Sequence, residues 1–423
     1  MNTITPLLSL SASKSPRLRV LPALSLYIHI PWCVRKCPYC DFNSHAINGR
    51  DGVPESEYVA ALKRDLELSL PLIWGRPVVS VFFGGGTPSV FSAASIDAIL
   101  SHVRMLLPLA PGTEITLEAN PGTFEAKKFR DFQAAGINRL SIGIQSFNSR
   151  HLQALGRIHD GAEARLAAET ALKYFDNLNL DLMYALPHQS LDQARQDIEC
   201  AVMLGAPHIS AYHLTIEPNT PFYRNPPRLP DEELSADMQG MIETMLADNG
   251  YQHYEVSAFA RPGQHCVHNM NYWQYGDYLG IGAGAHSKIS FQDRIARHMR
   301  YKHPRQYLEQ ALASQADIKD LIAVEQEVDA PDRIFEFMMN ALRIANGFDP
   351  GLLQAHTGLT TAAIQRQLTE AEQRGLIEWR HDCIRPTLQG RRFLNDLLEI
   401  FLPRSENQRQ GPGRCSRSEW PSA

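Results

Sequence analysis

Through the first 250 residues one pattern repeats. A short run rich in apolar and β-branched residues ends in a Gly, Pro or polar cluster, and a helix-length segment follows. The strand-like runs are 24–30, 78–83, 114–118, 139–145, 178–185 and 208–216, with helices expected over 55–70, 95–107, 124–134, 162–174, 191–204 and 231–249. Near-continuous apolar strands alternating with helices predict a parallel sheet covered by helices. Parallel crossovers all turn the same way, so such units in series predict an α/β barrel or partial barrel.

A barrel of this kind places its functional groups just past the C-terminal ends of its strands. The unusual residues fall there. Three cysteines follow the first run and Gly84-Gly85-Gly86-Thr87-Pro88 the second. The third closes on Glu118-Ala119-Asn120-Pro121, and the fourth on Gln145-Ser146-Phe147. The fifth carries Asp181 and ends at Leu186-Pro187, and the sixth reaches Glu217-Pro218.

The division expected is 1–23 a disordered extension, 24–250 the barrel, 251–330 a barrel extension, 331–402 a mostly helical module resembling a winged helix, and 403–423 a disordered tail. The extension holds His268-Asn269-Met270-Asn271-Tyr272-Trp273 and the glycine-rich 280–286. The module's helical segments, 353–357 and 362–371, precede a short strand pair near 377–385.

Composition adds exclusions. A chain of 423 residues, 44% hydrophobic and 21% charged, suits a globular protein with a large core. A net charge of -5 offers no general attraction for nucleic acid or anionic lipid. No apolar run approaches the roughly 18 residues of a membrane span. The N-terminus has no h-region or cleavage signature, so a targeting peptide is not expected. Seven cysteines, three of them at Cys33, Cys37 and Cys40, point to metal rather than to a disulfide framework.

The spacing Cys33-x-x-x-Cys37-x-x-Cys40 suits an iron–sulfur cubane with three protein thiolates. Its fourth iron is then open to the amino and carboxylate groups of S-adenosylmethionine. The competing reading is zinc, which usually takes two Cys-x₂₋₄-Cys pairs, and no second pair follows at a sensible distance. The Gly84–Gly86 backbone can approach a ligand closely, and Glu118 can accept from ribose hydroxyls. Gln145, Arg157 and Asp181 aim at the same barrel mouth, and convergent polar groups mark a ligand site.

The strings Tyr27-Ile28-His29-Ile30-Pro31-Trp32-Cys33 and Cys40-Asp41-Phe42-Asn43 resemble the radical S-adenosylmethionine family of oxygen-independent coproporphyrinogen III oxidases. So do Gly84–Pro88, Glu118–Pro121, Ser141–Phe147, Leu155–His159 and Asp181–Pro187. The resemblance runs from about Leu24 to Leu402 and is strongest to the heme chaperones of the HemW type. It implies a partial (β/α)6 radical SAM barrel with a C-terminal winged-helix-like domain. It also implies a [4Fe–4S] cluster on Cys33, Cys37 and Cys40, with S-adenosylmethionine at Tyr27, Gly85 and Glu118. Tyr39, Gly86, Thr87, Gln145, Arg157, Asp181 and Thr215 match positions that hold a second S-adenosylmethionine in the oxidase. Phe42 stands where the oxidase pattern has a further cysteine, which argues against oxidative decarboxylation. The string His268-Asn269-x-x-Tyr272-Trp273 matches the His-Asn-x-x-Tyr-Trp signature that the chaperone branch ties to heme. An imidazole is a common axial ligand, and Tyr272 and Trp273 offer flat apolar area. His268 is the favoured ligand, with Cys266 and His265 weaker choices.

The expectation is therefore a cytoplasmic heme chaperone that delivers heme to heme-requiring respiratory enzymes, with a peripheral contact at the inner membrane. The alternative is radical decarboxylation of coproporphyrinogen III to protoporphyrinogen IX. A cluster-bearing DNA regulator ranks third, because acids are mixed through the basic residues of 334–402.

Overall fold

The computed structural model describes residues 18, 20–47, 52–121 and 126–403. Most of the expected N-terminal extension and nearly all of the C-terminal tail lie outside the described residues. Residues 18 and 20–23, by contrast, belong to the folded unit. Leu18 is buried and its N–H donates to the Gln292 carbonyl at 2.8 Å.

Six strands alternate with helices as expected: β1 (Leu24–Ile30), β2 (Val78–Gly85), β3 (Leu109–Ala119), β4 (Arg139–Gln145), β5 (Leu178–Tyr184) and β6 (His208–His213). Each pairs in parallel with the next. The helices between them include α1 (Glu55–Ile73), α2 (Ala93–Leu106), α3 (Ala126–Ala135), α4 (Gly161–Ala171) and α5 (Leu191–Leu204). Local chemistry sets their ends. Capping boxes at Asp160/Glu163 and Ser190/Gln193 start α4 and α5, and Gly205 at φ 77° stops α5.

The strands are not continuously apolar. Along β1, Leu24, Leu26, Ile28 and Ile30 join α1's Tyr58, Leu62 and Leu66 in the main core. The alternate positions, Ser25, Tyr27 and His29, are polar. The same alternation sets Arg139, Ser141 and Gln145 on β4, Asn179 and Asp181 on β5, and His208 and Ser210 on β6. These meet across strands. Ser80 donates to Ser25 at 2.7 Å, Ser141 to Asp181 at 2.9 Å, and Asn179 to Ser141 at 2.8 Å. His208 lies between Asn179 Oδ1 at 2.6 Å and the Tyr254 hydroxyl at 2.7 Å. The helices thus cover an apolar outer face, while the inner face is a hydrogen-bonded polar column.

The extension serves both edges of this sheet. Strands β7 (Gln252–Glu255) and β8 (Ala258–Ala260) add antiparallel beside β6. Helix α6 (Val267–Trp273) follows, then β9 (Asp277–Ile281), which adds parallel beside β1. Strands β10 (His286–Ser290), β11 (Ile295–Arg300) and β12 (Ile322–Glu327) continue antiparallel, so the order is β12-β11-β10-β9-β1-β2-β3-β4-β5-β6-β8-β7. The parallel run therefore has one more strand than the six expected.

Register fixes where α6 lies. Ala260 pairs with His208 at the start of β6, and Asp277 pairs with Leu24 at the start of β1. The chain between them crosses the end where the parallel strands begin, opposite the cysteines. The C-terminal part holds α7 (Ala330–Ala341), α8 (Pro350–Thr357) and α9 (Gln365–Gln373), then a hairpin of β13 (Ile377–Trp379) and β14 (Ile384–Pro386), and closes with two short helices, Leu388–Arg392 and Leu394–Glu399. Its core takes in Tyr275 and Ile295 from the extension. Glu336 of α7 accepts from Tyr275 at 2.7 Å and pairs with Arg297 at 2.7 Å.

Candidate functional site

The cysteine loop leaves β1 at Pro31 and is held on three sides. Pro31 and Cys33 carbonyls accept from His45 and Ile47, at 2.7 and 2.9 Å. Beyond β2, Gly86 N–H donates to Ile30 and Thr87 N–H to Trp32, both at 2.8 Å. A Cβ on Gly86 would lie 2.6 Å from the Trp32 carbonyl oxygen, so only glycine lets the two strand ends close. Asn43, past the last cysteine, donates to the Ala283 and Lys302 carbonyls at 3.0 and 2.9 Å.

Cys33, Cys37 and Cys40 are all partly exposed. Burial raises the Cys33 and Cys40 thiols, and neighbouring thiols add to it: Cys37 acts on Cys33, and Cys33 on Cys40. Donors surround them. Thr87 Oγ1 donates to Cys33 Sγ at 3.5 Å and Arg157 Nη1 to Cys37 Sγ at 3.6 Å, while Ser44 Oγ lies 3.8 Å from Cys40 Sγ. Tyr39 sits against Phe222, with burial raising its phenol and Arg157 opposing that rise. Phe42 is half exposed on the same loop.

Glu118 lies beside the β2 end and accepts from Gly85 N–H at 3.2 Å. Gly85 has φ 114°, and a Cβ there would overlap the His29 ring. That ring receives Tyr27's hydroxyl at 3.0 Å on Nδ1 and meets the Asn43 carbonyl at 2.9 Å through Nε2. Burial, then the nearby Asp181 carboxylate, push Glu118 up to about 8 against the Gly85 hydrogen bond. Glu118 is then mostly protonated at neutral pH and can donate as well as accept.

A stability dependence follows. Folded Glu118 keeps a proton that the unfolded chain gives up near its ordinary value of 4.5. Stability from this group is present below that value and is lost as pH rises towards about 8, by up to about 1.4 kcal/mol per pH unit. Glu118→Gln is expected to flatten the fall of the unfolding midpoint between pH 5 and 8. Parallel wild-type and variant profiles would refute this.

The expected site residues thus divide. Tyr27, Gly85, Glu118 and Asp181 share one side of the mouth. Tyr39, Gly86, Thr87 and Arg157 share the other with the cysteines. Gln145, at φ 66°, has its amide near both Gly143 and the Arg157 region. Thr215 lies two residues past the end of β6 at His213, exposed, with its hydroxyl turned to the His213 carbonyl at 3.4 Å.

The His268–Trp273 helix is apart from the mouth and lies under the opposite end of the barrel. Glu114 accepts from the Val267 and His268 N–H groups, at 3.0 and 3.1 Å, and from Cys266 Sγ at 3.4 Å. Asn269 is half-buried, and its backbone N–H also bonds the Cys266 thiol. The His268 ring points inward, stacked on Phe82 at 4.8 Å and 6.3 Å from Tyr27. Its Nδ1 lies 3.0 Å from Ser80 Oγ. Ser80 gives its one hydrogen to Ser25, so Nδ1 is the donor and the lone pair is on Nε2. Burial lowers His268 to about 4, which keeps it neutral. Tyr272 and Trp273 are half-buried rather than displayed. Tyr272 packs on Tyr278 at 5.1 Å, and Arg343 of the C-terminal part covers Trp273 at 5.0 Å.

Residues 27–201 match the Radical SAM superfamily, and residues 328–393 match the HemN C-terminal domain. The heme chaperone HemW of Escherichia coli strain K12 is 48% identical over 385 residues, covering 90% of this chain and 99% of the relative. The chain belongs to the HemW family of heme chaperones.

The Bacillus subtilis HemW is 32% identical over 385 residues, covering 89% of this chain and 99% of that protein. Among solved structures, coproporphyrinogen III oxidase (HemN) from Escherichia coli shares the fold. Its TM-score is 0.75 at 23% identity, covering 92% of this chain and 91% of that one. The Radical SAM membership implies a [4Fe–4S] cluster and S-adenosylmethionine, and the donor set of this HemW-family chain fits them. Three thiols share one loop, each beside a hydrogen-bond donor. Among the described residues no three His, Cys, Asp or Glu side chains close on a single ion, and a cubane takes its thiolates at separate corners.

Sequence reasoning passed over His29, Asn43 and Asn120 as parts of this site. Their signals were present: His29 is on the polar alternation of β1, and Asn120 follows Glu118 at the end of β3.

Proposed function

We propose that this protein is a heme chaperone. It holds a [4Fe–4S] cluster on Cys33, Cys37 and Cys40, binds S-adenosylmethionine at the barrel mouth, and binds heme for delivery to heme-requiring respiratory enzymes. What supports the heme reading most is likeness to proteins named heme chaperones over 90% of the chain. Phe42, in place of a further cysteine, favours this over porphyrinogen decarboxylation, for which an anaerobic turnover assay is the contrary test.

The chemistry the cluster and S-adenosylmethionine supply when bound is one-electron cleavage of a carbon–sulfur bond. The chain's own residues orient and screen. The Gly84–Gly86 backbone accepts the close approach of the methionyl group. Tyr27, fixed by His29, and Glu118, protonated at neutral pH, line the ribose side. Asp181 stands beside Glu118, and Gly86, Thr87, Tyr39, Gln145 and Arg157 form the remaining wall. Thr215, exposed just past the end of β6, stands at its edge.

His268 is the proposed heme ligand, with Asn269, Tyr272 and Trp273 beside it. A neutral imidazole with Nδ1 donating to Ser80 presents Nε2, the form that ligates iron. Titration of the purified protein with heme is expected to show at least tenfold weaker binding in His268→Ala, with loss of the wild-type absorption shift. Equal affinity would remove His268 as a ligand. The recipient contact is proposed at the membrane surface from the cytoplasm; none of the described helices is long and apolar enough to cross a membrane.

A further inference from the structure

Between the two sides of the cysteine loop runs a closed arc of hydrogen bonds. Thr87 Oγ1 donates to Cys33 Sγ at 3.5 Å. Asn120 Nδ2 donates to Thr87 Oγ1 at 2.8 Å. Arg157 Nη2 donates to Asn120 Oδ1, and Arg157 Nη1 donates to Cys37 Sγ at 3.6 Å. Asn120 is the keystone, because its amide faces both ways. A hydroxyl has one hydrogen. By giving Thr87 a hydrogen, Asn120 leaves Thr87's own hydrogen for Cys33. By offering its carbonyl to Arg157, it turns the guanidinium so that the other arm reaches Cys37. The Gly143 carbonyl also accepts from Nη2, at 2.7 Å, and so helps Asn120 hold the guanidinium in that orientation.

Hydrogen bonds to ligand sulfurs are among the factors that set the potential of an iron–sulfur cluster. They stabilise the reduced state more, since it places more negative charge on sulfur. The guanidinium adds a fixed positive charge at the same place. We infer that Asn120 is a positioning residue that raises the cluster's reduction potential, by directing Thr87 at Cys33 and Arg157 at Cys37 together. This rests on the reading that those cysteines hold the cluster.

The test is an anaerobic redox titration of the reconstituted full chain, followed by electron paramagnetic resonance, with iron and sulfide measured on the same samples. Asn120→Ala is expected to load as the wild type does but to titrate at lower potential. Poised at the wild-type midpoint, the variant would be oxidised by at least three to one, where a tenfold ratio corresponds to about 59 mV for one electron. Thr87→Val, which removes only the Cys33 limb, is expected to shift the same way by less. A purely structural Asn120 would reduce loading without moving the midpoint of the loaded fraction. Unchanged midpoints in loaded Asn120→Ala, or in Thr87→Val should the first not load, overturn the proposal while leaving the cluster reading intact. A wild-type chain that takes up no cluster overturns both.

Discussion

Asp65→Ala is expected to cost about 3–5 kcal/mol of folding stability, the range for breaking a buried ion pair from one side. Asp65 and Arg300 are both fully buried and meet at 2.9 Å. The carboxylate also accepts from Tyr307 at 2.9 Å, from Gly282 N–H at 3.1 Å and from Ser69 at 3.2 Å. Alanine strands the guanidinium, whose Nη1 already has no hydrogen-bond partner, takes the acceptor from Gly282 N–H, and leaves Tyr307 only the Ala61 carbonyl at 3.5 Å. The damage reaches the mouth, because the loop that starts at Gly282 carries the Ala283 carbonyl to which Asn43 is tied. Asp65→Leu combined with Arg300→Met should recover most of the loss, since apolar replacement of both partners avoids the stranded charge. Urea midpoints of the three chains decide the matter. A single variant within about 1 kcal/mol of wild type would show that the pair contributes far less than its burial implies.

Cys37→Ala should abolish the cluster. A cubane with one open iron has three protein thiolates and no spare among them, so the variant should fall from about four irons per chain to background after anaerobic reconstitution. The wild-type paramagnetic spectrum should change on adding S-adenosylmethionine, and the variant should give neither signal. Cys200→Ala is the control. Cys200 lies buried on α5, away from the loop, and its loss should leave iron content unchanged. Full iron and sulfide in Cys37→Ala would end the assignment.

Much of this was legible from the chain. The bounds of β1, β4 and α5 fall where the pattern put them, because each is bounded by local signals: a proline after Ile30, a left-handed Gln145, a capping box and Gly205. The grouping of strand-end motifs at one mouth followed from parallel topology alone. The polar inner face was visible too, in the period-two spacing of Ser25, Tyr27 and His29, but apolar content masked it. What local pattern could not carry was placement across the fold. The His268–Trp273 helix reads as a ligand motif near a glycine-rich segment. Its position under the barrel depends on β8 pairing with β6 and β9 with β1, pairings between residues 48 to 253 apart in sequence. The end of β6 was misplaced for the opposite reason. The apolar character of 208–216 continues past the point where the ladder ends.

The stacked rings of His268, Phe82 and Tyr27 have a consequence for regulation. The interior is close-packed, so His268 cannot shift towards a ligand at the base without leaving a void beside Phe82, or dragging Phe82 and Tyr27 with it. Tyr27 lines the mouth. If heme binds at His268 and S-adenosylmethionine at Tyr27, as proposed, each is felt at the other's site, and thermodynamic linkage makes the effect mutual: each ligand changes the other's affinity by the same factor. On the proposed sites, cargo and cofactor enter by opposite ends of the barrel, and neither can be weighed without the other.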